Sequence, residues 1–209
     1  MQPGCVPLEE VIATHVLEQR VARARDTGAV ERAMDELKRV LAGSPRAVLQ
    51  KLVDVALELC EAQSAGISLL EEAKGRRFFR WHAVAGRLSS LLWTTLPRDF
   101  SPCGAVLDRR EALLMIAPER YFTLLSQVAI PVNEVLLVPF DVEGETVGTV
   151  WVVAHDPALQ FDAEDRRIVS RLTVFAAAAY QRLRSFKADD IRELSRMHLA
   201  PEKKPRKPH

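Results

Sequence analysis

A change of period constrains this chain more than any other feature. Up to Cys60 the apolar residues recur every three or four positions: Val30, Met34, Leu37 and Leu41, then Leu49, Leu52, Val53, Ala56 and Cys60. That spacing lays them along one stripe of an amphipathic helix. Gly43 ends the first helix, and Ser44-Pro45 restarts the second as a cap followed by a first-turn proline. Cys60 then reads as a small buried hydrophobe. From Ala65 the period drops to two. Gly66–Glu71 reads as a strand, Ala73–Gly75 as a turn and Arg76–Ala85 as a second strand. Strict alternation puts Phe79, Trp81 and Ala83 on one face and Arg80, His82 and Val84 on the other. Arg80 and His82 there meet either a ligand or water.

The alternation returns further on. Val135–Val142 and Thr146–Ala154 are two strands joined across Glu143-Gly144-Glu145, the clearest hairpin in the sequence. Pro139 has no N–H for a ladder, so it marks a strand edge or bulge. Asp162 caps a long helix whose first turn carries Glu164 and Asp165, where the macrodipole favours acids. Its stripe is Ile168, Leu172, Phe175, Ala179 and Leu183. Helix, helix, strand pair, irregular middle, strand pair, helix is an α+β order, not the βαβ alternation of a doubly wound sheet.

The irregular middle, Leu96–Phe122, crowds charged residues, Cys103 and Tyr121 among Pro97, Pro102, Gly104 and Pro118. Ser101-Pro102 predicts a short helix over Cys103–Leu107, and Ala112–Ile116 a short buried strand that Pro118 ends. A long, shaped, apolar-rich connection of this kind predicts the wall of a pocket.

Other classes are excluded or weakened. A net charge of +1 gives no global field toward nucleic acid or anionic lipid. No apolar run approaches the roughly 20 residues of a membrane span, and no secretory signal opens the chain. Three cysteines at wide spacing form neither a disulfide framework nor a zinc pattern, so the cytoplasm is the expected compartment. Dinucleotide, P-loop, zincin and nucleophile-elbow motifs are absent. Cys103 at a helix start, with His82 or His155, is the one arrangement that suggests thiol catalysis. Pro7–Val21 is a weak amphipathic segment with Leu8, Val11, Ile12 and Val16 on its stripe, and His15 reads as a partly buried packing residue. Arg20–Gly28 reads as a charged link, and Lys203, Lys204, Arg206 and Lys207 as a frayed basic tail.

The segments ALELCEAQSAGISLLEE, FRWHAVAG, FSPCGAVLDRREALLMI, VLLVPFDVEGETVGTVWVVAH and FDAEDRRIVSRLTVFAAAAY, in this order, resemble a GAF domain over Ser44–Ser185. The run S-P-C-G…L-D…P-E-R-Y-F is similar to the type found in bacterial sensor histidine kinases and phytochrome-like proteins. The resemblance implies an α+β fold: an antiparallel sheet of about six strands flanked by N- and C-terminal helices. Residues 1–43 would be an N-terminal helical extension and 186–209 a helical end with a basic tail. It further implies a non-catalytic sensory or regulatory module that binds a small molecule, forms a homodimer, or both. A histidine kinase or other output partner would be a separate chain or a missing part. No cofactor is named. The cyclic-nucleotide pattern N-K-x-x-F-D-E is absent. A covalent bilin is not expected, because Cys103 is followed by Gly104 and no histidine lies within Leu96–Phe122.

The resemblance places the ligand between the sheet and the Leu96–Phe122 stretch, which makes Trp81, Cys103, Arg120, Tyr121 and His155 the candidate ligand-binding residues. Arg120 either meets an anionic ligand or forms an internal pair with Glu119, Asp99 or Asp108. Two alternatives accompany this reading: a thiol enzyme similar to a free methionine sulfoxide reductase using Cys103, and a purely structural dimeriser. The stripes Val30-Met34-Leu37-Leu41 and Leu172-Phe175-Ala176-Ala179-Leu183 are the expected self-association surface.

Overall fold

The computed structural model describes residues 6–128 and 130–198, with side chains through residue 185. Cys5 and the basic ending from Lys203 lie outside the described residues. Two helices come first: α1, Thr27–Val40, and α2, Pro45–Leu59. The strands are β1, Ser64–Ala73; β2, Arg76–Gly86; β3, Thr95–Pro97; β4, Leu113–Ile116; β5, Glu134–Val142; and β6, Glu145–Ala154. A short helix α3, Pro102–Arg109, stands between β3 and β4, and α4, Ala163–His198, closes the described chain. The strands form one antiparallel sheet in the order β3-β2-β1-β6-β5-β4. This is the expected six-stranded α+β architecture.

The punctuation read from the sequence is where the chain turns. The Ser44 hydroxyl accepts from the Ala47 N–H at 3.2 Å and starts α2; Ser101 accepts from Gly104 N–H at 3.2 Å and starts α3. Asp162 accepts from the Glu164 and Asp165 N–H groups at 2.8 and 3.1 Å. Asp165 returns the favour by accepting from the Asp162 N–H at 2.9 Å, a reciprocal cap. Glu143 and Gly144 both take positive φ, 55° and 82°, the conformation a two-residue hairpin loop requires between Val142 and Glu145. Pro139 sits two residues past Leu137, the last β5 residue that β4 pairs with, so its missing N–H falls where no strand needs it.

Each face of the sheet carries its own core. One face packs Ile67, Leu136, Val150 and Val152 against α2 and α4, and α1 packs on those two helices. The other packs Phe79, Trp81, Leu137 and Trp151 against α3 and the segment after it. Both predicted self-association stripes pack mainly inside the chain, with Leu41 and Leu183 at their ends half-buried. Val30, Met34, Leu37, Leu172, Phe175, Ala176 and Ala179 are all buried in the helical-face core. That leaves only Leu41 and Leu183 of the surplus apolar surface on which the dimer expectation was built.

Three other expectations change. The strict alternation of β2 breaks at a bulge: Ile67 pairs with Ala83 but Ser68 pairs with Trp81, so His82 is the extra residue. Beyond it Ala83 joins the helical face and Val84 the Trp81 face, the reverse of simple alternation. The Pro7–Val21 segment is a strap of two 3₁₀ turns, Leu8–Glu10 and Thr14–Glu18, between which Ile12 bridges to Met115 on the free edge of β4. Its most buried residues are Val11 and Leu17, while His15 is exposed.

The charged link is the largest departure. Arg20 grips Glu134 with two bonds of 2.9 and 2.7 Å and donates to the Phe161 carbonyl at 2.5 Å. Arg23 reaches Asp165 at 2.7 Å and its N–H donates to Asp162 at 2.9 Å. Arg25 pairs with Asp165 and donates to the Leu59 carbonyl at 2.5 Å. Glu134 and Asp165 are buried carboxylates, so these arginines are their counter-charges and not a solvated run.

Candidate functional site

The second core contains a small, partly open cavity of about 50 Å³. Its floor is sheet: Trp81 of β2, Val135 and Leu137 of β5, Trp151 and Val153 of β6. Pro102 and Cys103 of α3 form one wall, and Pro118, Leu125, Val128 and Val132 of the crossover to β5 form the other. The close seating of α3 is what makes this a small space. A Cβ on Gly104 would stand 2.0 Å from the Arg98 carbonyl oxygen, so only glycine lets the helix lie this near the preceding loop. Gly66 does the same for the floor: the Trp151 ring lies over it, 2.1 Å from where a Cβ would be.

Of the five candidates, the structure brings Trp81 and Cys103 together at the cavity. Trp81 is 6% exposed and stacks obliquely on Trp151 with ring centres 5.0 Å apart. The Trp151 indole N–H donates to Ser68 Oγ at 3.0 Å, whereas the Trp81 indole N–H is buried without an acceptor. Cys103 receives a hydrogen bond from Thr149 Oγ1 at 3.3 Å. Burial pushes its thiol up, outweighing the hydrogen bonds from Ser68 and Thr149. The helix start therefore does not activate this cysteine, contrary to the expectation from its position.

Arg120, Tyr121 and His155 do not line the cavity. Ala117 adopts a left-handed φ of 46° just before the Pro118–Arg120 3₁₀ turn, in which Pro118 stays buried at the cavity. Arg120 is half exposed and pairs with Glu10 of the strap at 3.3 Å, not with Glu119, Asp99 or Asp108. Within the stretch it is Arg98 that takes Asp108, at 2.6 Å. Tyr121 is half-buried among Phe100 and Phe122, with ring centres at 5.6 and 4.8 Å. His155 is a buried strut: its Nε2 meets Ser64 Oγ at 2.8 Å and its Nδ1 donates to the Pro131 carbonyl at 2.6 Å. Burial drives its pKa down, helped by Arg87, so the ring is held neutral.

His82 also has other business. It and Arg80 both converge on Glu71, at 2.7 and 3.0 Å. Burial raises the Glu71 pKa, but these two partners outweigh it and hold the carboxyl below its usual range. Beside them Trp93 stands partly exposed at a left-handed φ of 72°, with the Arg46 guanidinium 5.5 Å above its ring. Neither imidazole is thus a base for Cys103. Among the described residues, no group of three His, Cys, Asp or Glu side chains is placed to hold a metal ion.

Sequence reasoning missed the apolar half of the lining. Leu125, Val128 and Val132 follow Phe122 in a run without period, and the one signal they offered was their density just before the hairpin. The fold defines the class: an α+β domain whose sheet carries helices on one face and, on the other, a short helix and crossover that border a small apolar cavity. The chain belongs to the GAF domain family, whose model matches residues 42–181. No curated protein sequence matches it significantly. Among solved structures it is similar to the GAF domain of a phosphoenolpyruvate-protein phosphotransferase from Coxiella burnetii, at 17% identity and TM-score 0.66, covering 77% of this chain and 97% of that one. The free methionine-R-sulfoxide reductase of Neisseria meningitidis is similar at 15% identity and TM-score 0.61, covering 79% and 98%. The GAF-B domain of DevS from Mycobacterium smegmatis is similar at 18% identity and TM-score 0.55, covering 69% and 98%. At these identities the likeness is one of fold.

Proposed function

We propose that this chain is a non-catalytic sensory or regulatory GAF domain, working in the cytoplasm, that takes a small molecule into the cavity beneath α3. The observation that supports the reading is the cavity itself, floored by Trp81 and walled by Cys103, in a face of the sheet otherwise closely packed. A bound molecule would touch α3, β2, β5 and β6 at once and so favour one seating of the crossover over others. A histidine kinase or another output partner would read that seating, and α4, 36 residues long and packed on α2 and β5, is the element best suited to carry it. Native mass spectrometry of protein purified from its own host tests this: a stoichiometric small adduct, lost when Val135→Trp fills the cavity, is expected. Protein that is clean by mass and insensitive to every small molecule supplied would overturn it.

The thiol-enzyme reading has one observation in its favour, Cys103 at the cavity, and two against it. Its thiol is buried and pushed up. Cys60, the other described cysteine, lies in the core on the opposite face of the sheet, pushed further up by burial and Asp165, where it cannot resolve a bond to Cys103. Turnover of free methionine sulfoxide with a thiol reductant, abolished in Cys103→Ser, would establish that reading instead.

Self-association remains part of the proposal on other ground than the two buried stripes. Val174, 69% exposed on α4, is the large apolar side chain that helix offers outward among the described residues. Sedimentation equilibrium of Val174→Glu tests it; a wild-type monomer at every concentration removes the dimer. Ala179→Glu is uninformative here, because Ala179 is wholly buried.

A further inference from the structure

We infer that a second ligand site lies on the helical face of the sheet, a groove that takes an aromatic carboxylate with its anionic end on Arg46; it is separate from the cavity beneath α3 and does not depend on it. The groove is partly open and has a volume of about 650 Å³, within the range of small-molecule sites. Leu69 and Glu71 of β1 and Arg80 and His82 of β2 line it from the sheet. The first turn of α2 contributes Arg46, α4 contributes Tyr180, Leu183 and Arg184, and the loop before β3 contributes Trp93. Two of these residues hold positions that the stability of the domain does not explain. Trp93 is 41% exposed, yet its backbone stands at a φ of 72°, a conformation that bulky side chains avoid. It is fixed there from both sides: its N–H donates to the Trp81 carbonyl at 2.9 Å, and its carbonyl accepts from the Arg80 guanidinium at 3.4 Å. Strain held in this way at an exposed aromatic ring marks a site rather than a core. Arg46 is exposed in the first turn of α2, where the helix dipole disfavours a cation. No carboxylate among the described residues pairs with it; its guanidinium lies instead 5.5 Å from the centre of the Trp93 ring.

The charges of the lining say what this pair accepts. Glu71 is taken by His82 at 2.7 Å and by Arg80 at 3.0 Å. Arg184 pairs with Glu143 at 3.3 Å on the surface, where such a pair is worth little. Three arginines stand against two glutamates, Glu71 and Glu72, an excess of one positive charge with His82 neutral. A monoanion balances it. A cation would meet Arg46 with like charge, and a dianion would need a second free guanidinium. The planar fork of Arg46 fits a carboxylate through two parallel hydrogen bonds. A ring attached to that carboxylate then lies beside Trp93, with Tyr180 and Leu183 as further apolar wall. Benzene already requires about 150 Å³, so such a molecule does not fit the space of about 50 Å³ on the other face, and the two sites take different ligands.

Three probes on one ring separate these properties: benzoate, its neutral counterpart benzamide, and phenyl phosphate, a dianion at mildly alkaline pH. Each is titrated into the ¹⁵N-labelled full chain, whose three tryptophans give one indole resonance each. Trp93 is assigned by its disappearance in Trp93→Phe. Benzoate should shift the Trp93 resonance saturably and more than those of Trp81 and Trp151, which are buried on the other face. Benzamide should bind at least about five-fold more weakly, the worth of one exposed charge pair, and phenyl phosphate no more tightly than benzoate. Arg46→Gln should weaken benzoate about five-fold and leave benzamide unchanged, with the Trp81 and Trp151 resonances of the free variant in place as proof of folding. Equal affinity for benzoate and benzamide, tighter binding of the phosphate, or indifference to Arg46→Gln overturns the inference, as does a larger shift at Trp81 or Trp151. No saturable shift of Trp93 up to about 20 mM benzoate also removes the site, without bearing on the cavity beneath α3. Should Arg46→Gln disturb the fold, the wild-type comparison of benzoate with benzamide alone decides.

Discussion

Asp165 is where the ionic anchoring of the domain converges, and Asp165→Ala should unfold it far more easily than its small size suggests. The carboxylate is completely buried. It accepts from Arg23 at 2.7 Å and from the Asp162 N–H at 2.9 Å, and it pairs with Arg25. Truncation strands Arg25, whose side chain is 9% exposed and keeps only the Leu59 carbonyl. Arg23 suffers less, being 26% exposed and retaining Asp162 and Glu61. Breaking a buried pair from one side costs about 3–5 kcal/mol, and the partial exposure of Arg23 argues for the lower end. Losing half of the reciprocal cap on α4 adds about 1 kcal/mol. A total of about 4 kcal/mol is a large fraction of the roughly 5–15 kcal/mol that holds a domain together. With a urea slope of about 2 kcal/mol per molar, the unfolding midpoint should fall by about 2 M. The assay is urea unfolding followed by tryptophan fluorescence at low and at 1 M salt. Buried pairs are screened little, so the loss should be similar in both. The double change Arg25→Met with Asp165→Leu should recover part of it, since an apolar pair leaves no stranded charge. A midpoint shift below about 0.5 M, or one that disappears in high salt, would show the network to be solvated and refute the reasoning.

Gly104→Ala should destabilise by about 1–3 kcal/mol, because the new Cβ meets a backbone carbonyl that cannot rotate away; an unchanged thermal midpoint would contradict the seating of α3. In a Cys5→Ser background, Cys103 and Cys60 should both react with a thiol reagent at neutral pH only after unfolding, since both are buried with raised pKa values; rapid native labelling of Cys103 would reopen the thiol-enzyme reading. The depressed pKa of His155 makes the unfolded chain the better proton acceptor. Its contribution is therefore full above the unfolded value near 6.5 and is lost as pH falls through the folded one. The wild-type urea midpoint should drop more between pH 7.5 and 5.5 than that of His155→Gln, and equal drops would remove His155 as the cause.

What the sequence disclosed, and what it withheld, follows from the range of the interactions involved. Ser44-Pro45, Ser101-Pro102, Asp162 and Glu143-Gly144 act on backbone within three residues of themselves, so their meaning was readable where they stand. The bulge at His82 is equally local, yet Trp-His-Ala-Val alternates as well with the bulge as without it. Only pairing to β1 reveals the extra residue. Arg20, Arg23 and Arg25 read only as part of a charged link because their counter-charges lie more than a hundred residues away, at Glu134, Asp162 and Asp165. Two of those carboxylates were visible only as helix-start acids, and Glu134 as a residue before a strand. The site divides in the same way. Trp81 was placed by strand position and Cys103 by its cap, and both reach the cavity. Arg120 and Tyr121 were assigned by nearness to Pro118, and neither the left-handed Ala117 nor the pairing of Arg120 with Glu10 of the strap left a mark in the sequence. Polar residues attracted the sequence argument, while the cavity was closed by Leu125, Val128 and Val132, whose lack of period is itself the reason they escaped it.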